Sequence, residues 1–69
     1  MNIFRKKLYE VIEKCTRHGI IVIHKFRNYL DAIQFLNGIK VKYNKLASYY
    51  KALEFEALIC KKNHILERV

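Results

Sequence analysis

The 69-residue sequence contains no proline, two glycines and two cysteines. The missing proline excludes a Pro-rich linker, and the scarce glycine excludes a collagenous chain. Two cysteines are too few for a disulfide-stapled miniature scaffold. Acidic residues are scarce as well: six Asp and Glu stand against fourteen Lys and Arg, for a net charge of +8. Paired carboxylates for acid–base chemistry are not in evidence, because Glu54 and Glu56 stand two apart and face different directions on a helix. Gly19 and Gly38 are isolated, so there is no Gly-rich loop to cradle a phosphate. Long apolar runs are missing too. The longest, Gly19 to Ile23, falls far short of the roughly 20 residues that span a bilayer. The basic start, residues 1–7, has no apolar signal-peptide segment behind it, since Glu10, Glu13, Lys14 and Arg17 interrupt the pattern. The expectation is a cytoplasmic protein in which Cys15 and Cys60 are free thiols.

What is present is apolar side chain: 52% of the residues, too many for a disordered basic tail. The chain is short enough to form one domain over 1–69, burying only about 60% of its unfolded surface. Such a core leaves little room for a substrate pocket with supporting side chains. Neither an enzyme nor a cofactor nor a small-molecule substrate is expected.

The leading fold expectation is mainly α, a three-helix domain over about 3–18, 21–37 and 44–66. In the first segment Phe4, Leu8, Val11, Ile12 and Cys15 share a helical face. In the second, Phe26, Tyr29, Leu30 and Ile33 form a stripe. In the third, Leu46, Tyr50, Leu53, Ala57, Cys60 and His64 make one stripe, while Ala52, Phe55 and Ile59 lie almost opposite. Gly19 and Gly38 suit left-handed helix ends, and Asn28 and Asn44 suit helix starts. The alternative is α+β. It places strands at 20–26, from the β-branched run Ile20 to Ile23, and at 39–43, where apolar and basic residues alternate, with a short helix over 29–37 between them.

Cys15 with His18, and Cys60 with His64, have the i/i+3 and i/i+4 spacing at which one helix face offers a thiolate and an imidazole to a metal. Both cysteines also lie on apolar stripes, where a thiol serves as a small hydrophobe. The 41 residues between the pairs match no zinc module. Buried thiols and no metal is therefore the expectation, with Cys15, His18, Cys60 and His64 as the weaker alternative.

Positive charge is the stronger signal. Ten Lys and Arg against three acids in the first 45 residues suit phosphate binding, in which displaced counterions drive association. The expected contacts are Lys6, Lys7, Lys14, Arg17, Lys25, Arg27, Lys40 and Lys42, with a basic face of the first helix at their centre. The expected function is a small, non-enzymatic, nucleic-acid-associated regulatory protein, a homodimer or partner-bound. Its self-association patch is Tyr49, Ala52, Phe55 and Ile59, on the second face of the third helix. The alternative is an interaction module or inhibitor that docks on an acidic partner surface through that C-terminal helix. Attachment of the basic first helix to an anionic membrane surface is a third, weaker reading.

Overall fold

The computed structural model describes residues 8–69. It is α+β, which overturns the three-helix expectation. Strand β1 (Tyr9–Cys15) is followed by a 3-10 turn (Thr16–His18) and strand β2 (Ile20–Phe26). Helix α1 (Tyr29–Lys45) and the short helix α2 (Ala47–Ala52) come next, then strands β3 (Phe55–Lys61) and β4 (His64–Arg68). The strands form one sheet in the order β2-β1-β3-β4, antiparallel throughout.

The expected helix over 3–18 is a strand in its described part. Tyr-Glu-Val-Ile-Glu-Lys-Cys fits a 3.6-residue period and a period of two almost equally well. Pairing on both edges, with Val11 opposite both His24 and Ile59, decides for the strand. The expected helix over 21–37 is half strand: β2 covers the 20–26 of the alternative reading, and α1 starts at Tyr29 after Asn28 in the N-cap position. The expected strand over 39–43 lies inside α1. Its alternation is overridden by the longer stripe Ala32, Leu36, Ile39 and Tyr43, which keeps helical spacing. Asn44 and Gly38 accordingly sit within the helix and not at its ends.

The expected helix over 44–66 ends at Ala52. Beyond it, Ala57, Leu58, Ile59 and Cys60 are consecutive and all buried, in a strand that pairs with β1 on one edge and β4 on the other. The strand regroups the two expected helical stripes: Phe55, Ala57 and Ile59 share the helix-covered face of β3, and Leu58 and Cys60 lie on the other. A two-residue turn, Lys62 and Asn63 at φ 49° and 68°, joins β3 to β4, and two positive φ values match the twist of the paired strands.

Helix α1 covers one face of the sheet. Val11, Ala32, Leu36, Ala57 and Ile59 are fully buried between the two layers, and Tyr9, Phe26, Ile33, Ile39, Phe55 and Val69 pack around them. Alternation along the strands places Ile20, Val22, His24 and Phe26 of β2 on this helix-covered face and Ile21, Ile23 and Lys25 on the other.

The two glycines have opposite roles. Gly19 sits at φ 67° and donates its N–H to the Thr16 carbonyl, 3.2 Å away, closing the turn between β1 and β2. Gly38 is mid-helix, and an added Cβ would meet nothing within 4 Å. Gly19→Ala is expected to destabilise the fold by about 1 kcal/mol through the left-handed conformation. Gly38→Ala is expected to stabilise it by about 0.5–1 kcal/mol through the helix. Thermal melts of the two variants should therefore move in opposite directions. A drop for both would contradict a helix that runs through residue 38.

Candidate nucleic-acid interface

The structure distributes the expected phosphate contacts over several surfaces. Lys6 and Lys7 lie outside the described residues. Lys14 and Arg17 do not share a helix face: Lys14 is on β1, 3.8 Å from Glu56 of β3, and Arg17 is exposed in the 3-10 turn. Lys25 stands opposite Glu10 in the β1–β2 ladder, and Arg27 is exposed in the connection to α1. On α1, Lys40 is 4.0 Å from Glu67 of β4, whereas Lys42 is exposed and points to the opposite flank. The basic first-helix face is thus replaced by isolated cations, several of them beside a carboxylate.

A stretch rich in lysine runs through the end of α1 and through α2. Residues 32–53 carry Lys40, Lys42, Lys45 and Lys51 and not one Asp or Glu. Lys42, Lys45 and Lys51 are exposed. The chain bends there at Leu46, whose N–H still donates to the Lys42 carbonyl at 3.0 Å while its own carbonyl accepts from Tyr50 at 3.0 Å. Aromatic packing fixes the bend: Tyr43 stacks on Tyr50 at 5.6 Å, and Tyr50 packs on Phe55 at 4.7 Å. Tyr49, by contrast, turns outward and is 60% exposed. Lys45 and Tyr49 border one hollow at the bend. Lys42 and Tyr50 border the neighbouring open groove, about 330 Å³, between α1 and the sheet. Lys45, Lys51 and the bend were missed in the sequence, although the acid-free stretch 32–53 is visible there.

The groove has a polar floor. Glu13 of β1 lies 2.6 Å from His24 Nε2 of β2, a diagonal contact between neighbouring strands on one face. The His24 ring in turn packs on Phe35 of α1 at 4.4 Å. The pair ties β2 to β1 beneath the helix.

The expected self-association patch does not exist as a surface. Tyr49 and Ala52 are exposed on α2, Phe55 is half-buried in the aromatic cluster, and Ile59 is wholly inside the core. The Cys and His residues of the weaker, metal-binding alternative are also scattered. Cys15 stands opposite Phe55 and Cys60 opposite Glu10, five rungs or roughly 17 Å apart along the sheet and on opposite faces. Among the described residues, no group of three or more His, Cys, Asp and Glu is placed to hold a metal ion. No described helix is long and apolar enough to cross a membrane. No family model matches the chain, and no curated protein or solved structure is similar to it at a significant level.

Proposed function

We propose that this is a small, non-enzymatic, cytoplasmic nucleic-acid-binding protein of regulatory role, holding phosphates with the lysines at the α1–α2 bend. The observation that carries the reading is the exposed set Lys42, Lys45 and Lys51 in a stretch without a carboxylate, beside an outward-turned Tyr49. Unpaired lysines on one surface release counterions when they meet a polyanion. An exposed aromatic among them offers a stacking face that tolerates any base. The free thiols Cys15 and Cys60 suit a reducing compartment. Docking on an acidic protein through a C-terminal helix loses its element, since residues 55–68 are strands.

The test is fluorescence anisotropy on random duplex DNA, single-stranded DNA and RNA across a salt series. Changing Lys42, Lys45 and Lys51 together to Gln is expected to leave folding intact, because all three side chains are exposed. On duplex DNA it should lower the slope of log K against log salt by about 0.9 per lost contact, or roughly 2.7 in all. Tyr49→Ala should weaken single-strand binding more than duplex binding. A wild type with no affinity for any of the three probes at low salt overturns the reading.

A further inference from the structure

The two outer strands of the sheet are finished differently. The β4 edge is short, contains His64, Glu67 and Arg68, and breaks its ladder with β3 between Ile59 and Cys60. Shortness, charge and irregularity are the ordinary ways in which a free edge is kept from pairing. The β2 edge has none of these over its first four residues. Ile20, Ile21, Val22 and Ile23 are between 44 and 62% exposed, they alternate over both faces of the sheet, and their ladder with β1 runs in unbroken register. On such an edge, every second residue turns its N–H and C=O away from the neighbouring strand. A seven-residue, β-branched edge whose outward backbone groups meet no other described strand is a template for another strand.

We infer that β2 pairs edge to edge, antiparallel, with β2 of a second copy of this chain. The strand is complementary to itself about Val22. A two-fold axis through Val22, perpendicular to the sheet, puts Val22 opposite its own copy, Ile21 opposite Ile23, and Ile20 opposite His24. Lys25 then faces Gly19, so no like charges stand directly opposite within the strand. This register also keeps equivalent faces together. The result is a continuous eight-stranded sheet with both α1 helices on one side, and the interface closes on itself as a two-fold contact does. With β4 guarded, growth stops at two copies.

Four half-exposed side chains and seven residues of backbone edge per copy amount to roughly 1,000 Å² across the pair, at the small end of specific interfaces. The dimer is therefore concentration-dependent and not permanent. Each copy carries +8, so repulsion between copies opposes pairing and added salt strengthens it by screening. Polyanion binding responds to salt with the opposite sign. The two properties are thus separable, and pairing does not rest on the nucleic-acid reading. Where both hold, pairing brings two α1–α2 bends onto the same face of one particle.

The experiment is sedimentation equilibrium at low and high salt without nucleic acid, with Val22→Lys and Val22→Glu as probes. Val22 lies opposite Glu13 in the β1–β2 ladder, so a lysine there gains a carboxylate neighbour within its own chain. Across the two-fold axis, however, either variant faces its own charge. Wild type is expected to approach twice the 8.3 kDa chain mass as concentration and salt rise. Each variant alone should dimerise at least roughly tenfold more weakly. An equimolar mixture of the two should recover the dimer, because Lys then faces Glu. Amide exchange of wild-type residues 20–25, which needs no substitution, should slow as protein concentration rises. A wild type that stays monomeric at millimolar concentration and high salt overturns the inference. So do variants that dimerise like wild type, assemblies that grow past two copies, or exchange that ignores concentration.

Discussion

Ile59→Asp is expected to leave the chain unfolded at 25 °C. Ile59 is fully buried at the centre of β3, with Val11 opposite it on β1 and Glu67 opposite it on β4. Truncating a buried Ile removes about 2–5 kcal/mol through lost transfer and an unfilled cavity. An aspartate is too short to carry its carboxyl from the core to water. The acid must stay desolvated, next to Glu67 of the same charge sign, at a further few kcal/mol. A 69-residue domain has roughly 3–10 kcal/mol of stability in all, so the sum of these losses consumes it. The measurement is far-UV circular dichroism with a thermal scan: a flat trace without a cooperative transition is expected. The overturned three-helix expectation would have required the opposite result, because Ile59 there lies on an outer helix face and Ile59→Asp would yield a folded, less associated chain.

The reason the sequence misled over residues 55–61 is physical. Phe-Glu-Ala-Leu-Ile-Cys-Lys has apolar residues on opposite sides whether it is wound as a helix or extended as a strand. A chain apolar on two sides implies cover on two sides, and that much was legible. Whether the segment is a helix with an outer face to cover or a strand paired on both edges beneath α1 depends on residues 9–15, 29–45 and 64–68, most of them distant in sequence. Pairing of this kind is non-local and leaves no periodicity of its own. The turn at Lys62 and Asn63 was silent for a related reason: it holds two positive φ values without a glycine, so the usual hairpin signal is missing. Residues 20–23 spoke more clearly, because four β-branched residues in a row disfavour helix, and β2 is where they lie.

The candidate site shows the same division. The acid-free stretch from Ala32 to Leu53 is a plain property of the sequence. Its division between α1 and α2 appears only in the fold, where the chain turns at Leu46 and the Tyr43, Tyr50 and Phe55 rings pack together. Summing charge over the first 45 residues hid it, because Lys14, Lys25 and Lys40 count toward the total yet each stands beside a carboxylate in the fold. The free edge of β2 is likewise illegible without the strand order. The same Ile-Ile-Val-Ile run in the centre of the sheet would be ordinary core.

Leu36→Ala and Leu30→Ala form a decisive pair. Both replace a leucine on α1, and helical propensity changes equally little for each. Leu36 is fully buried against Val11, Ala57 and Ile59, whereas Leu30 is largely exposed. The sequence reading put Leu30 in the core stripe with Phe26, Tyr29 and Ile33. The sheet instead selects Ala32, Leu36 and Ile39, which rotates the buried face by about 100° from that stripe. Leu36→Ala should therefore cost about 3 kcal/mol, since neighbours anchored in a sheet cannot collapse into the space left behind. For a domain of this size that is a fall of roughly 12–24 °C in melting temperature. Leu30→Ala should stay within about 0.5 kcal/mol of wild type. Chemical denaturation of the two variants and wild type, with slopes compared as well as midpoints, makes the measurement. If the two leucines exchange roles, with position 30 costly and position 36 neutral, α1 lies on its other face and the groove beside Lys42 is not where the structure puts it.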